Sequence, residues 1–193
     1  MKHIRSSLLA LVAVSLVTAA CAGPYGSTGR SSQASGAPFG TVEDLHYAQV
    51  LWQHLRQRRL VGENAIHGTP YTGTHPHGAI LDTLGVVIRV GHDTGPVIVK
   101  RNYGGKGVSK ATVANTPERY LKAVTVMFKR PGYDPANRDW FWVKYAPDGS
   151  VLKNPKGMAL AGRVAKGSAK GCIACHRTAP GSDLVFNHDR YAR

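Results

Sequence analysis

Near the C-terminal end, Cys172-Ile173-Ala174-Cys175-His176 places two thiols and an imidazole in one short stretch. Two cysteines separated by two residues and followed at once by a histidine make a C-x-x-C-H sequence, the pattern of c-type haem attachment. The spacing has a chemical reason. The thiols add to the two vinyl groups of a haem, and two intervening residues let both sulfurs reach one porphyrin edge. The adjacent histidine is then directed at the iron, whose axial ligands govern much of its potential. The stretch predicts one covalently attached haem c, with Cys172 and Cys175 as attachment points and His176 as proximal iron ligand. A thioredoxin-like redox pair would need a βαβ setting. A structural zinc site would need further ligands, usually a second cysteine pair. The sequence offers neither. Gly171 and Gly181 suit a loop wrapping a porphyrin, and Lys166, Lys170 and Arg177 are candidates to meet its propionates, although plain solvation is their more ordinary role. For the sixth iron position the candidates are Met127, Met158 or a histidine such as His75 or His77. A strand methionine usually belongs to a core and a loop histidine to the solvent.

The third cysteine has a different setting. Lys2, His3 and Arg5 form a basic start, and Leu8 to Ala20 is an apolar run broken only by Ser15 and Thr18. That run is shorter than the roughly 20 residues a membrane-spanning helix needs, and with its basic flank it reads as a signal peptide, residues 1–20. Val17-Thr18-Ala19-Ala20-Cys21 resembles a bacterial lipobox, which makes Cys21 the expected lipidated first residue of the mature chain. All three cysteines are thereby assigned and no disulfide is required, although an exported chain would tolerate one. The expected location is a periplasm-facing lipoprotein held by a lipid anchor, on the outer membrane because Ala22 supplies no acidic retention signal. Residues 21–40, rich in Gly, Ser, Ala and Pro, read as a flexible tether. Residues 41–193 are left for one domain.

The net charge is +14. Export and the scatter of the cations argue against a nucleic-acid partner. A solvated basic surface is the simplest reading, with attraction to an acidic soluble redox partner or an anionic membrane as the sharper one.

The elements that must position the site are legible in outline. Thr41 with Asp44 three residues on is a capping-box pattern, and Val42, Leu45, Ala48, Leu51, Trp52 and Leu55 recur at helical spacing, with Gly62 as the stop. Asn64 to His77 is a polar loop carrying His67, His75 and His77. Ile80 to Val90, Pro96 to Arg101, Leu121 to Phe128 and Trp140 to Tyr145 are rich in β-branched and aromatic residues and read as strands. Pro147-Asp148-Gly149 is a turn, after which Val151-Leu152 returns as a short strand. The fold class expected is α+β: an N-terminal helix, an antiparallel β-sheet and an irregular C-terminal haem-attachment segment.

Several segments recur together in one order. Pro76-His77-Gly78 opens a strand, and Val97-Ile98-Val99-Lys100 follows with Asn102-Tyr103. Next come Val124-Thr125-Val126-Met127 and Pro131-Gly132-Tyr133-Asp134. The distinctive block Asp139-Trp140-Phe141-Trp142-Val143-Lys144-Tyr145 precedes Gly171 to His176 and Asp183-Leu184-Val185-Phe186. From Pro76 to Phe186 this series resembles the cytochrome P460 family. The resemblance implies haem held against a sheet, often in a homodimer, with a five-coordinate iron whose open face is lined by sheet side chains. It implies oxidation of hydroxylamine or binding of nitric oxide, as in the similar beta-type cytochromes c-prime. In hydroxylamine-oxidising members a lysine on the second of these strands is cross-linked to the porphyrin rim, and Lys100 occupies the matching position. On its own, Lys100 ends an apolar run, where a lysine usually keeps its head in water. Burial against a haem would favour the neutral amine, the nucleophilic form. Three functions follow as expectations: a haem oxidoreductase for a small nitrogen species, a non-catalytic nitric-oxide-binding module, or a six-coordinate electron carrier.

Overall fold

The computed structural model describes residues 39–186. The signal peptide, Cys21 and nearly all of the tether lie outside the described residues. Phe39 and Gly40, assigned to the tether by composition, already pack on the domain. Phe39 lies against the Met127–Trp140–Trp142 cluster, and a Cβ on Gly40 would meet the Ala161 carbonyl oxygen at 2.7 Å.

The first helix, α1 (Val42–Gln57), starts where the sequence places it. Thr41 Oγ1 accepts from the Asp44 backbone N–H at 3.2 Å, and the Asp44 carboxylate accepts from the Thr41 N–H at 3.3 Å. Both orphan donors at the helix start are thereby satisfied. Ala48, Leu51, Trp52 and Leu55 form the buried stripe, while Val42 lies outside it and is 79% exposed. The helix ends earlier than Gly62. Arg58 is its C-cap, and Arg59 takes a left-handed φ of 55° that turns the chain and lets Leu60 and Val61 bury as loop residues.

A six-stranded antiparallel meander follows, in the order β1 (Tyr71–Thr72), β2 (Ile80–Val90), β3 (Asp93–Tyr103), β4 (Leu121–Lys129), β5 (Trp140–Tyr145) and β6 (Ala161–Gly162). The α+β class is therefore correct. The third strand is longer than its apolar run suggested, so Lys100 sits within it, opposite Thr83 and Thr125, rather than at its end. Two short helices, α2 (Lys110–Asn115) and α3 (Pro117–Tyr120), interrupt the path from β3 to β4. The stretch after the Pro147 turn makes only isolated bridges, Tyr145 with Val151 and Lys153 with Ala159.

Period-two alternation gives the sheet two working faces. Val97, Val99, Val126, Phe128, Phe141 and Tyr145 pack with α1 in the main core. The same face buries an ion pair. Arg101 Nη1 donates to Asp82 Oδ1 at 2.6 Å, and Arg101 Nη2 donates to the carbonyls of Leu60 and Ile66 at 2.7 and 2.6 Å. The guanidinium thus fastens the loop behind α1 to the sheet. Tyr103 OH donates to Asp82 Oδ2 at 2.7 Å. Burial and the neighbouring carboxylate raise the Tyr103 phenol, so it remains a donor. The opposite face presents Ile98, Lys100, Thr125, Met127, Trp142 and Lys144 to the C-terminal segment, where the last helix, α4 (Cys172–His176), lies. Strand β5 is almost continuously buried, as expected for a strand covered on both sides.

Candidate haem site

Between this second face and α4 lies a cavity of about 650 Å³, within the roughly 300–1,000 Å³ of small-molecule and cofactor sites. Strands β3, β4 and β5 supply one wall. Cys172, Ala174, Cys175 and His176 supply another, and His75, Pro76 and His77 line it from the loop before β2. A second cavity of about 260 Å³ shares His75, His77, Lys100, Cys175 and His176 with the first.

Cys172 and Cys175 are one helical turn apart, so both sulfurs lie on one side of α4. Neither is in a disulfide. The turn depends on Gly171, whose φ of 128° is costly for any residue with a side chain; an added Cβ would lie 2.4 Å from Ala165 Cβ. Burial raises the Cys172 thiol, against the opposing pull of Lys144. That is the reverse of the lowered pKa of a reactive redox dithiol, and it weighs against the thioredoxin-like alternative.

His176 is only 8% exposed. Its Nδ1 lies 2.8 Å from the Leu184 carbonyl oxygen. A carbonyl can only accept, so Nδ1 carries the proton and Nε2 the lone pair. This is the arrangement that orients a metal-ligating histidine. The Leu184 carbonyl is held in turn from the sheet: Trp140 Nε1 donates to the Asp183 carbonyl at 2.8 Å, and Lys129 Nζ pairs with the Asp183 carboxylate at 2.5 Å. Trp142 and Phe186 pack edge-on to the His176 ring at 4.8 and 5.3 Å. Burial lowers the His176 pKa, the Leu184 hydrogen bond opposes that, and the Lys100 charge adds to it. The neutral ring is the ligating form.

His77 is also on the cavity wall. Its Nδ1 lies 2.9 Å from Asn102 Oδ1. Its pKa is lowered to about 4, chiefly by burial and then by the Lys100 charge. Lys100 therefore stands near both imidazoles, as well as beside Thr125. Asp82 does not reach the cavity; it belongs to the ion pair on the opposite face.

Of the proposed propionate partners, Lys170 lines the cavity. Lys166 instead pairs with Asp134 at 2.7 Å, and Arg177 donates to Asn137 at 2.8 Å. Met127 lines the cavity, whereas Met158 does not. Sequence reasoning missed Asn102 as a site residue, and also Trp142, whose buried indole N–H finds no acceptor among the described residues.

The donor set fits a covalently held haem. Two thiols and a lone-pair imidazole lie on one wall of an apolar cavity. Among the described residues, Lys100, Lys144 and Lys170 line that cavity and no carboxylate does, a balance suited to a largely apolar group that carries two propionates. The family model for cytochrome P460 matches residues 60–187, a range that takes in β1 to β6 and α4. No curated protein and no solved structure matches the chain.

Proposed function

The chain belongs to the cytochrome P460 family, and on that footing we propose that it is an exported mono-haem c-type cytochrome that handles a small nitrogen species such as hydroxylamine or nitric oxide. Cys172 and Cys175 would hold the haem, and His176 would bind its iron. When bound, it supplies one-electron chemistry and a coordination site for a small ligand. The observation that carries this reading is the convergence of both thiols and the Leu184-oriented imidazole on one wall of the 650 Å³ cavity.

The protein's own groups have separable tasks. Cys172 and Cys175 fix the porphyrin edge. Leu184 sets the tautomer of His176, and Trp142 and Phe186 hold its plane. Ile98, Met127 and Val164 exclude water, which strengthens the local effect of each cation. Lys100 supplies positive charge on the sheet side. We propose that Lys100 is not joined to the porphyrin; its cross-strand neighbour on β4 is Thr125, a hydroxyl rather than a general base.

His176→Ala should lose most of its haem or change the spin state of what remains; an unchanged wild-type spectrum would contradict the ligand assignment. The optical spectrum of the ferrous protein, before and after nitric oxide, tests whether the iron takes such a ligand.

For location, we propose a lipid anchor at Cys21 that faces the domain to the periplasm from the outer membrane. An acidic soluble redox partner is the natural match for so basic a chain, which stays strongly positive once Lys2 and Arg5 leave with the signal peptide. Mass spectrometry of the mature N-terminus should show a diacylglyceryl adduct on Cys21. An unmodified terminus at Cys21, Ala22 or Gly23, with soluble fractionation, would refute the anchor.

A further inference from the structure

We propose that His77 is the second axial ligand of the haem iron, opposite His176, and that Asn102 holds it in that role. The inference rests on the reading of Cys172, Cys175 and His176 as a haem site.

The starting point is Asn102, whose amide orientation is fixed by its surroundings. Its Nδ2 donates to the carbonyls of Lys100 and Ala123 at 2.9 and 3.3 Å and lies 3.2 Å from Thr125 Oγ1. The carbonyls can only accept, so the NH₂ group must point there and Oδ1 must point the other way. Oδ1 faces His77 Nδ1 at 2.9 Å and the Gly78 N–H at 3.4 Å. An amide oxygen has no proton to give, so His77 Nδ1 is the donor and Nε2 carries the lone pair. His77 therefore has the same tautomer as His176, fixed by the same kind of outer partner.

Its backbone is fixed as well. At Gly78 the chain passes so close to β3 that a Cβ would lie 2.4 Å from the Tyr103 carbonyl oxygen. A histidine clamped between this close approach and Asn102 is not an ordinary solvated loop side chain. His75, two residues earlier, is exposed.

The two rings also have a suitable separation. Both line the same two cavities. Their centroids are 6.4 Å apart with planes at 82°. Two metal–imidazole bonds of about 2 Å each, extended by the two ring radii, give a centroid separation of this size. The angle between the planes is no obstacle, since each ring can turn about its own bond to the metal. Among the described residues, Met127 and His75 also line the cavity and could bind iron, but no hydrogen bond to the Met127 thioether aims it and His75 is exposed.

A resting iron with two imidazoles is six-coordinate and low-spin. That differs from the open sixth position implied by the family resemblance. A small ligand would then bind only after His77 leaves, and His77 would act as a gate on the nitrogen chemistry of the site.

The test uses full-length, haem-loaded protein and electron paramagnetic resonance of its ferric form, with stopped-flow nitric oxide binding to the ferrous form. Wild type should be low-spin, with a binding rate that levels off as nitric oxide is raised. His77→Ala should retain covalent haem, become high-spin, bind nitric oxide at a rate linear in concentration, and return to low-spin when imidazole is added. His75→Ala should behave as wild type. Asn102→Leu should retain covalent haem and shift the iron towards high-spin, and added imidazole should return it to low-spin. A high-spin wild type, or a His77→Ala protein that stays low-spin, would overturn the proposal. Covalent haem, read from the alkaline pyridine spectrum, is scored separately in each variant. Its absence from wild type would count against the underlying haem site rather than the His77 assignment alone.

Discussion

Protein in which Cys172 and Cys175 are both changed to serine is expected to release all of its haem into acid-acetone. Serine keeps the size and the helical turn of α4, so the cavity and His176 survive the change. What is lost is the thiol, the only group at these positions able to add to a vinyl group. His176 can still bind iron, and some haem should enter the cavity non-covalently. Its absorbance would then follow the solvent phase after extraction, where the wild-type colour stays with the protein. Each single variant should keep one thioether and resist extraction. Covalent haem retained by the double variant would mean that the attachment lies elsewhere, with Lys100 the first residue to examine.

Asp82→Ala is expected to destabilise the domain by about 3–5 kcal/mol, the usual cost of removing one partner from a buried ion pair. Asp82 and Arg101 are 0% and 1% exposed. Removing the carboxylate strands the Arg101 guanidinium in the core with only the Leu60 and Ile66 carbonyls, and leaves Tyr103 OH with only the more distant His67 Nδ1 at 3.3 Å. A domain of this kind has a total stability of about 5–15 kcal/mol, so the variant should sit near the edge of folding. Urea unfolding, with the midpoint followed by tryptophan fluorescence, measures the loss. A midpoint within error of wild type would show that the pair contributes little. The loss should appear whether or not haem is loaded, because the pair lies on the α1 face of the sheet.

The parts of this fold that show in the sequence are those carried by local pattern. The Thr41–Asp44 cap is a pairing across three residues, and it forms. Strands β2 and β5 have the expected bounds because each is a dense run of β-branched or aromatic residues. Strand β3 looked shorter because Lys100, Arg101 and Asn102 break the apolar run. Only the sheet explains them: Arg101 turns inward to Asp82, while Lys100 and Asn102 turn to the cavity. Helices α2 and α3 went unread because each is short and carries a single buried residue, Val113 and Tyr120, too few to set up a period. Their one sequence signal is the Ser109–Thr112 cap.

The site divides in the same way. Cys172, Cys175 and His176 are contiguous, and their chemistry is written in their spacing. Their support is not. His176 is oriented by a backbone carbonyl, that of Leu184, which carries no sequence mark. Asn102 lies 25 residues beyond His77, and only the pairing of β2 with β3 brings the two together. Lys166 and Arg177 looked like propionate partners because they flank the attachment sequence. Their contacts with Asp134 and Asn137 come from the turn before β5, which sequence proximity does not reveal.

The most direct measurement of the central claim is the mass of one tryptic peptide. Lys170 and Arg177 bracket Gly171-Cys172-Ile173-Ala174-Cys175-His176-Arg177, so trypsin should release this segment alone. The peptide should carry one haem on two thioether bonds, absorb visible light, resist thiol alkylation and contain no residue from the Lys100 strand. A colourless peptide with two alkylatable thiols would contradict the haem assignment.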